Sequence, residues 1–208
     1  MKIRWNGHAC FTLTTRSGLV IVTDPFDASV GYPCPNDRAD LVTVSHGHHD
    51  HNDVSSLTGN FKTLCQAGEY EADGVRVTAI PSFHDDAQGA KRGGNLLFKI
   101  ECDGLTVVHL GDLGHLPNAE QTLFLKNADI MMIPIGGFFT IDTRQALEVI
   151  RLTQPAHVIP MHYLTPVMNF PISDEKEFAR AANAVYANTN ELDASALSFA
   201  TIFDYRKK

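Results

Sequence analysis

Seven consecutive residues, Ser45-His46-Gly47-His48-His49-Asp50-His51, hold four imidazoles and a carboxylate. Imidazole nitrogens and carboxylate oxygens are donor atoms for divalent cations, so metal binding is the chemistry this cluster can do. A helical zinc site would space its histidines at i and i+4, as in H-E-x-x-H, and this stretch does not. The apolar run Leu-Val-Thr-Val-Ser at residues 41–45 leads straight into His46, which predicts an extended chain there. In an extended chain the side chains at i and i+2 point the same way, so His46 and His48 can grip one ion. Asp50 and His51 then follow as the chain turns, with Asn52 or Asp53 able to cap a short helix and His49 facing away.

Other donors stand at the ends of other apolar runs. VRVTAI leads to His84, LTVVHLGD ends at Asp112, HVIPMH ends at His162, and LVIVTD ends at Asp24. If these runs are neighbouring strands, their ends gather along one edge, where open sheets commonly bind ligands. His46, His48, Asp50, His51, His84, Asp112 and His162 make seven donors, more than the four one tetrahedral zinc takes. Two ions sharing a carboxylate is the economical expectation: His46, His48 and His84 on the first, Asp50, His51 and His162 on the second, and Asp112 as the bridge. Zinc, manganese and iron all suit imidazole with carboxylate.

The remaining candidates carry weaker signals. His115 is the competitor for the first ion and, with Asp50, a candidate general acid. Asp24 is expected to fix a histidine or the ligand loop by hydrogen bonding rather than to touch metal. His8 could line the site or satisfy a turn, while His49, His109 and His157 read as structural or surface residues. Gly136 and Gly137 could admit a substrate against the backbone or simply form a turn. The Lys91-Arg92 pair could bind an anionic substrate group, although such pairs are usually just solvated.

These residues need strands to position them. About ten short β-branched or alternating runs read as strands: KIRW, CFTLTT, LVIVT, LVTVS, VRVTAI, NLLFKIE, LTVVHL, IMMIPI, HVIPM and LSFATIF. Helical patterns cover residues 118–127, 143–153 and 173–188, the last opened by Ser-Asp-Glu. Strands first, then strands alternating with helices, suggest an α/β arrangement with sheets inside and helices outside. GLVIVTDP at residues 18–25 echoes GLTVVHLGD at residues 104–112, a hint of two halves that each contribute a sheet.

Composition excludes several classes. The 208 residues, 44% of them hydrophobic, suffice for one sizeable core, so one domain over residues 1–208 is expected. With 17 basic against 24 acidic residues the formal net charge is -7, and the longest basic run is Arg206-Lys207-Lys208, so nucleic acid has no electrostatic footprint. MKIRWNGHACF offers no apolar signal core, and no segment reaches the ~18 uncharged apolar residues of a membrane span, which points to a cytoplasmic protein. Cys10, Cys34, Cys65 and Cys102 form no C-x-x-C pair and read as free, mostly buried thiols, with Cys34 the one to test for exposure.

The H-x-H-x-D-H at His46 to His51, preceded by a strand ending in Asp24-Pro25 and followed by a lone His, a lone Asp and a lone His, resembles the ordered motifs of the metallo-β-lactamase fold superfamily. GHACF, HLGDLGH, and PIGGFFTID followed by IPMHY are most similar to the group containing ascorbate-6-phosphate lactonase and N-acyl-phosphatidylethanolamine phospholipase D. The resemblance covers about Gly7 to Tyr163. It implies a four-layered αββα sandwich with two metal ions at one edge, and it supports the ligand assignments position by position. Secreted β-lactamases have an export signal and lack an acidic bridge where Asp112 stands, and glyoxalase II has a helical domain not seen here, so antibiotic and glutathione-thioester hydrolysis are not expected.

The expected activity is metal-dependent hydrolysis of a small ester, lactone or phosphodiester. Two ions would lower the pKa of a shared water from 15.7 to about 7, making hydroxide the nucleophile. A non-catalytic, metal-stapled binding or sensor domain is the alternative. A di-iron redox protein fits less well, because flavodiiron proteins resemble H-x-E-x-D and His48 stands at the second position. The substrate is expected to be a small molecule, and the sequence leaves open both an anionic substrate and a homo-oligomer.

Overall fold

The computed structural model describes residues 1–205, so the basic run Arg206-Lys207-Lys208 lies outside the described residues. In chain order the strands are β1 (Lys2–Gly7), β2 (Cys10–Thr14), β3 (Val20–Thr23), β4 (Leu41–Thr43), β5 (Lys62–Leu64), β6 (Gly68–Ala72), β7 (Val75–Phe83), β8 (Gly94–Cys102) and β9 (Leu105–His109). They continue with β10 (Ile130–Pro134), β11 (His157–Met161), β12 (Val185–Tyr186), β13 (Glu191–Asp193) and β14 (Thr201–Ile202). The helices are α1 (Ala119–Leu125), α2 (Thr143–Thr153) and α3 (Lys176–Ala181).

Two six-stranded sheets form, ordered β13-β1-β2-β3-β4-β5 and β11-β10-β9-β8-β7-β6. Alternation decides which face of each strand is buried. In β1, Ile3 and Trp5 are buried while Lys2 is exposed, and in β2 Phe11 and Leu13 join the same apolar cluster as Val77, Leu97, Phe98, Ile100 and Val107 of the second sheet. Each such fully buried side chain contributes roughly 2 kcal/mol of apolar burial. From α1 and α2, Leu125, Ala146, Val149 and Ile150 pack onto this cluster. The other face of the first sheet, Cys10, Val22 and Val42, is covered by a second cluster of loop residues including Phe26, Val30, Tyr32 and Leu57.

Strand direction brings the site together. β3, β4 and β5 are mutually parallel, and β1 runs with them because β2 is antiparallel to both β1 and β3. In the second sheet β9, β10 and β11 are parallel, and β7, separated from β9 by antiparallel β8, points the same way. The repeat-like segments become β3 and β9, one in each sheet, and each runs on into an aspartate, Asp24 or Asp112.

Several local expectations change. Helix α3 ends at Ala181, well short of residue 188, because Asn183 adopts a left-handed conformation and Val185 hydrogen-bonds to Ala200, so pairing with β14 outcompetes helix continuation. No helix follows the histidine cluster: Asp53 instead accepts a hydrogen bond from the Ser55 amide in a turn. LSFATIF forms only the two-residue β14. Cys65, not Cys34, is the exposed thiol, whereas Cys34 is half-buried and Cys10 and Cys102 are buried. No helix among the described residues is long and apolar enough to cross a membrane.

Candidate metal centre

The donors leave the sheets at one edge. β4 ends at Thr43, residues 45–48 are bends and residues 49–51 a turn, so His46 and His48 converge through bends rather than along an extended strand. The turn is closed by the His51 amide donating to the His48 carbonyl at 3.0 Å. His46 Nε2 and His48 Nδ1 then face each other at 3.0 Å, and both rings pack on His84. His49 is exposed.

His84 follows β7 and His162 follows β11. Their Nε2 atoms each lie 3.1 Å from Asp112 Oδ2. His51 Nε2 lies 3.3 Å from Asp112 Oδ1 and 3.6 Å from Asp50 Oδ2, and His46 Nε2 is 4.0 Å from Asp112 Oδ2. Three donor groups emerge: His46 with His48 and His84, then His8 with Asp50, His51 and His162, then His46 with His51 and Asp112, the donor atoms of each group lying within 4.8 Å of one another. All seven donors expected from the sequence are thus gathered, and His8 joins them.

Buried second partners hold these side chains. Asp24 accepts the Ser45 amide at 2.8 Å on Oδ1, and the Ser45 hydroxyl at 2.6 Å and the His51 Nδ1–H at 2.9 Å on Oδ2. That leaves His51 Nε2 aimed at the cluster. Asn95 accepts the Asp112 amide at 2.9 Å and donates to the Leu110 carbonyl at 3.0 Å, fixing the loop that presents Asp112. Asp85, next to His84, accepts four backbone amides, from Ala87, Gly89, Lys91 and Arg92, and so shapes the loop that follows. Gly136 lies so close to the His162 backbone that a β-carbon there would stand 2.2 Å from the His162 carbonyl oxygen, so only glycine packs behind His162 here.

His115 stays outside the cluster. Its Nε2 accepts the Phe83 amide at 3.2 Å and its Nδ1 donates to the Leu116 carbonyl at 2.8 Å, so both ring nitrogens are spent on backbone. His109 spans the sheets instead, donating to the Ala9 carbonyl at 2.8 Å.

Electrostatics prepare the donors for a cation. Burial, reinforced by neighbouring His51, pushes His46 down to about 3, and burial with His162 does the same for His8. Burial alone would raise Asp112, but the His162 and His51 imidazoles outweigh it and hold the carboxyl well below its ordinary range. Burial opposes protonation of His51, yet the Asp112 and Asp24 carboxylates carry it well above the ordinary histidine value. Neutral imidazoles and ionised carboxylates are the ligand forms, which His46 and Asp112 already hold and which His51, raised by its carboxylate neighbours, reaches only by giving up its proton to an incoming cation.

The residues fit divalent ions. His51 Nε2 and Asp112 Oδ1 are buried without an aligned hydrogen-bond partner, and such orphaned atoms are costly unless something else satisfies them. The donors are nitrogen and oxygen throughout.

Comparison with known proteins agrees with this geometry. A family model described as the beta-lactamase superfamily domain matches residues 2–162. The chain belongs to that superfamily and, within it, to the UPF0173 metal-dependent hydrolases. A relative so named from Thermoplasma acidophilum is 32% identical over 190 residues, covering 79% of this chain and 84% of the relative. Another from Pelotomaculum thermopropionicum is 32% identical, covering 88% and 92%. The crystal structure of a Thermotoga maritima protein, described as a zinc-dependent hydrolase of the metallo-beta-lactamase superfamily, matches with a TM-score of 0.80 and 35% identity over 97% of each chain. The fold is accordingly the αββα metallo-β-lactamase sandwich, and the protein is a metal-dependent hydrolase.

Proposed function

We propose that this hydrolase holds two divalent ions, His46, His48 and His84 on one and Asp50, His51 and His162 on the other, and cleaves a small ester, lactone or phosphodiester. The observation that carries this reading is Asp112, whose carboxylate reaches imidazoles of both groups, His84 at 3.1 Å and His162 at 3.1 Å, as a bridging ligand must. Bound there, such ions supply Lewis acidity, which lowers the pKa of water toward ~7 and polarises a carbonyl or phosphoryl oxygen. Zinc is the leading candidate, with manganese and iron compatible with the same donors.

The chain's own groups do the rest. Asp50 is ionised because its hydrogen bond to His8 and the nearby His51 outweigh burial, and it is a candidate, once protonated during turnover, to deliver a proton to the leaving oxygen. His48 is exposed, which keeps the site open to solvent and substrate. On the His8 side lies an aromatic wall: Phe170 packs 5.7 Å from the His8 ring and 6.2 Å from Phe139. The Arg92 guanidinium sits 5.5 Å over Phe139, while Lys91 is tied to Asp86 at 2.7 Å. Arg92, rather than Lys91, is therefore the group available to an anionic part of the substrate.

The test is metal analysis of protein purified without added metal, followed by generic lactone, carboxylic ester and bis-nitrophenyl phosphate substrates. Two ions per chain with turnover of one class are expected. One ion per chain, or tight metal without turnover in any class, overturns the proposal, the latter in favour of a binding or sensor domain.

A further inference from the structure

His8 follows β1, whose end at Gly7 lies at the same edge as the other donor-bearing strands. Its backbone is left-handed, with φ +53°, a conformation that glycine adopts freely and histidine does not. A glycine could make this turn without strain, so the imidazole must contribute something to offset it.

Two contacts show what. The ring is fully buried and its Nε2 forms a hydrogen bond with Asp50 Oδ2 at 3.2 Å. The His8 carbonyl accepts the His162 amide at 3.2 Å as well as the Trp5 indole N–H at 3.0 Å. The ring also lies 4.1 Å, centroid to centroid, from that of His162. One residue thus touches Asp50, which follows β4 in the first sheet, and His162, which follows β11 in the second. The turn itself is anchored, because the Ala9 carbonyl accepts both His109 Nε2 at 2.8 Å and the Thr23 hydroxyl at 3.3 Å.

We infer that His8 is a positioning residue that clamps Asp50 and His162 from opposite sheets into the spacing one ion requires. The inference rests on the two-ion reading above. In it, the Nε2–H of His8 donates to Asp50 and fixes the orientation of the carboxylate; His8 is not itself a ligand. One of its ring nitrogens lies within 4.8 Å of donor atoms of Asp50, His51 and His162, so direct ligation is the rival that the experiment must separate.

Asparagine and glutamine distinguish the two. Both carry an amide N–H, but only Gln reaches as far as the imidazole Nε2, while Asn suits the left-handed backbone better. Metal affinities of wild type, His8→Asn and His8→Gln would be measured by competition with a chromophoric chelator, alongside ester turnover. His8→Asn is expected to weaken the second ion about 10–100-fold and leave the first unchanged, with His8→Gln recovering most of the loss. Wild type binding two ions while both variants match it, or while both are weakened equally, overturns the clamp alone. Wild type binding one ion overturns the two-ion reading and the clamp with it.

Discussion

The Asp24 carboxylate accepts the Nδ1–H of His51 at 2.9 Å, and neither side chain has any solvent exposure. The bond selects the His51 tautomer whose free Nε2 faces the cluster. Asp24→Asn keeps an acceptor but removes the charge that orients the ring. Affinity for the ion held by His51 should fall about 10–100-fold, with activity falling in parallel. Isothermal titration of metal into the stripped variant would check this; unchanged affinity would remove Asp24 from the site.

His48 and His115 should separate cleanly. His48→Ala removes a donor from an exposed position, so one equivalent of metal and the turnover are expected to vanish while the circular dichroism spectrum stays native. His115→Ala should retain both metal and turnover, because neither ring nitrogen is free to exchange a proton with substrate. A His115→Ala enzyme with intact metal and a flattened pH profile would restore His115 as a general acid.

Acid should destabilise the metal-free protein well above the carboxylate range. Burial, first among the causes in each case, lowers His8, His46, His48 and His109, so across the window below ~6.5 the unfolded chain binds more protons than the folded one and stability falls with pH. His51, raised by Asp112 and Asp24 against the effect of burial, works in the opposite direction, but it is one imidazole against four. For each lowered, fully buried imidazole the loss between pH 7 and 5.5 is about 1 kcal/mol. Urea midpoints of the chelator-treated protein should drop over that interval, and a flat profile would contradict the burial argument.

Arg92→Ala tests substrate charge. The guanidinium rests on Phe138 and Phe139, 6.0 and 5.5 Å away, on a loop held by Asp85. For an anionic ester KM should rise about tenfold with kcat nearly unchanged, as expected when uniform binding is lost, whereas a neutral ester should be unaffected. Equal effects on both substrates would exclude charge recognition.

Much of this centre was legible in the sequence because chemistry and strand ends coincide. LVTVS, VRVTAI, LTVVHL and HVIPM each became a strand, and each precedes a donor now in the cluster. The same rule reaches His8, since KIRWNG also ends in a histidine, but a lone His before Ala-Cys-Phe reads equally well as a turn. HLGDLGH places His115 three residues beyond Asp112, and nothing local reveals that the Phe83 amide and the Leu116 carbonyl engage its nitrogens. β6, Gly-Glu-Tyr-Glu-Ala, escaped because its side chains are mostly exposed and lack an apolar period; pairing with β7 makes it a strand. α3 was overextended because residues 182–188 still look helical until Ala200 claims Val185.

Each β-sheet brings only part of the proposed coordination set: His46, His48, Asp50 and His51 emerge from the first, His84, Asp112 and His162 from the second. On the two-ion reading, neither half of the sandwich holds a cation alone. Metal retention therefore reports on how well the two halves stay in register, and a packing defect in the apolar cluster between them, at Ile100 or Leu13 for instance, should leak metal before it melts the protein.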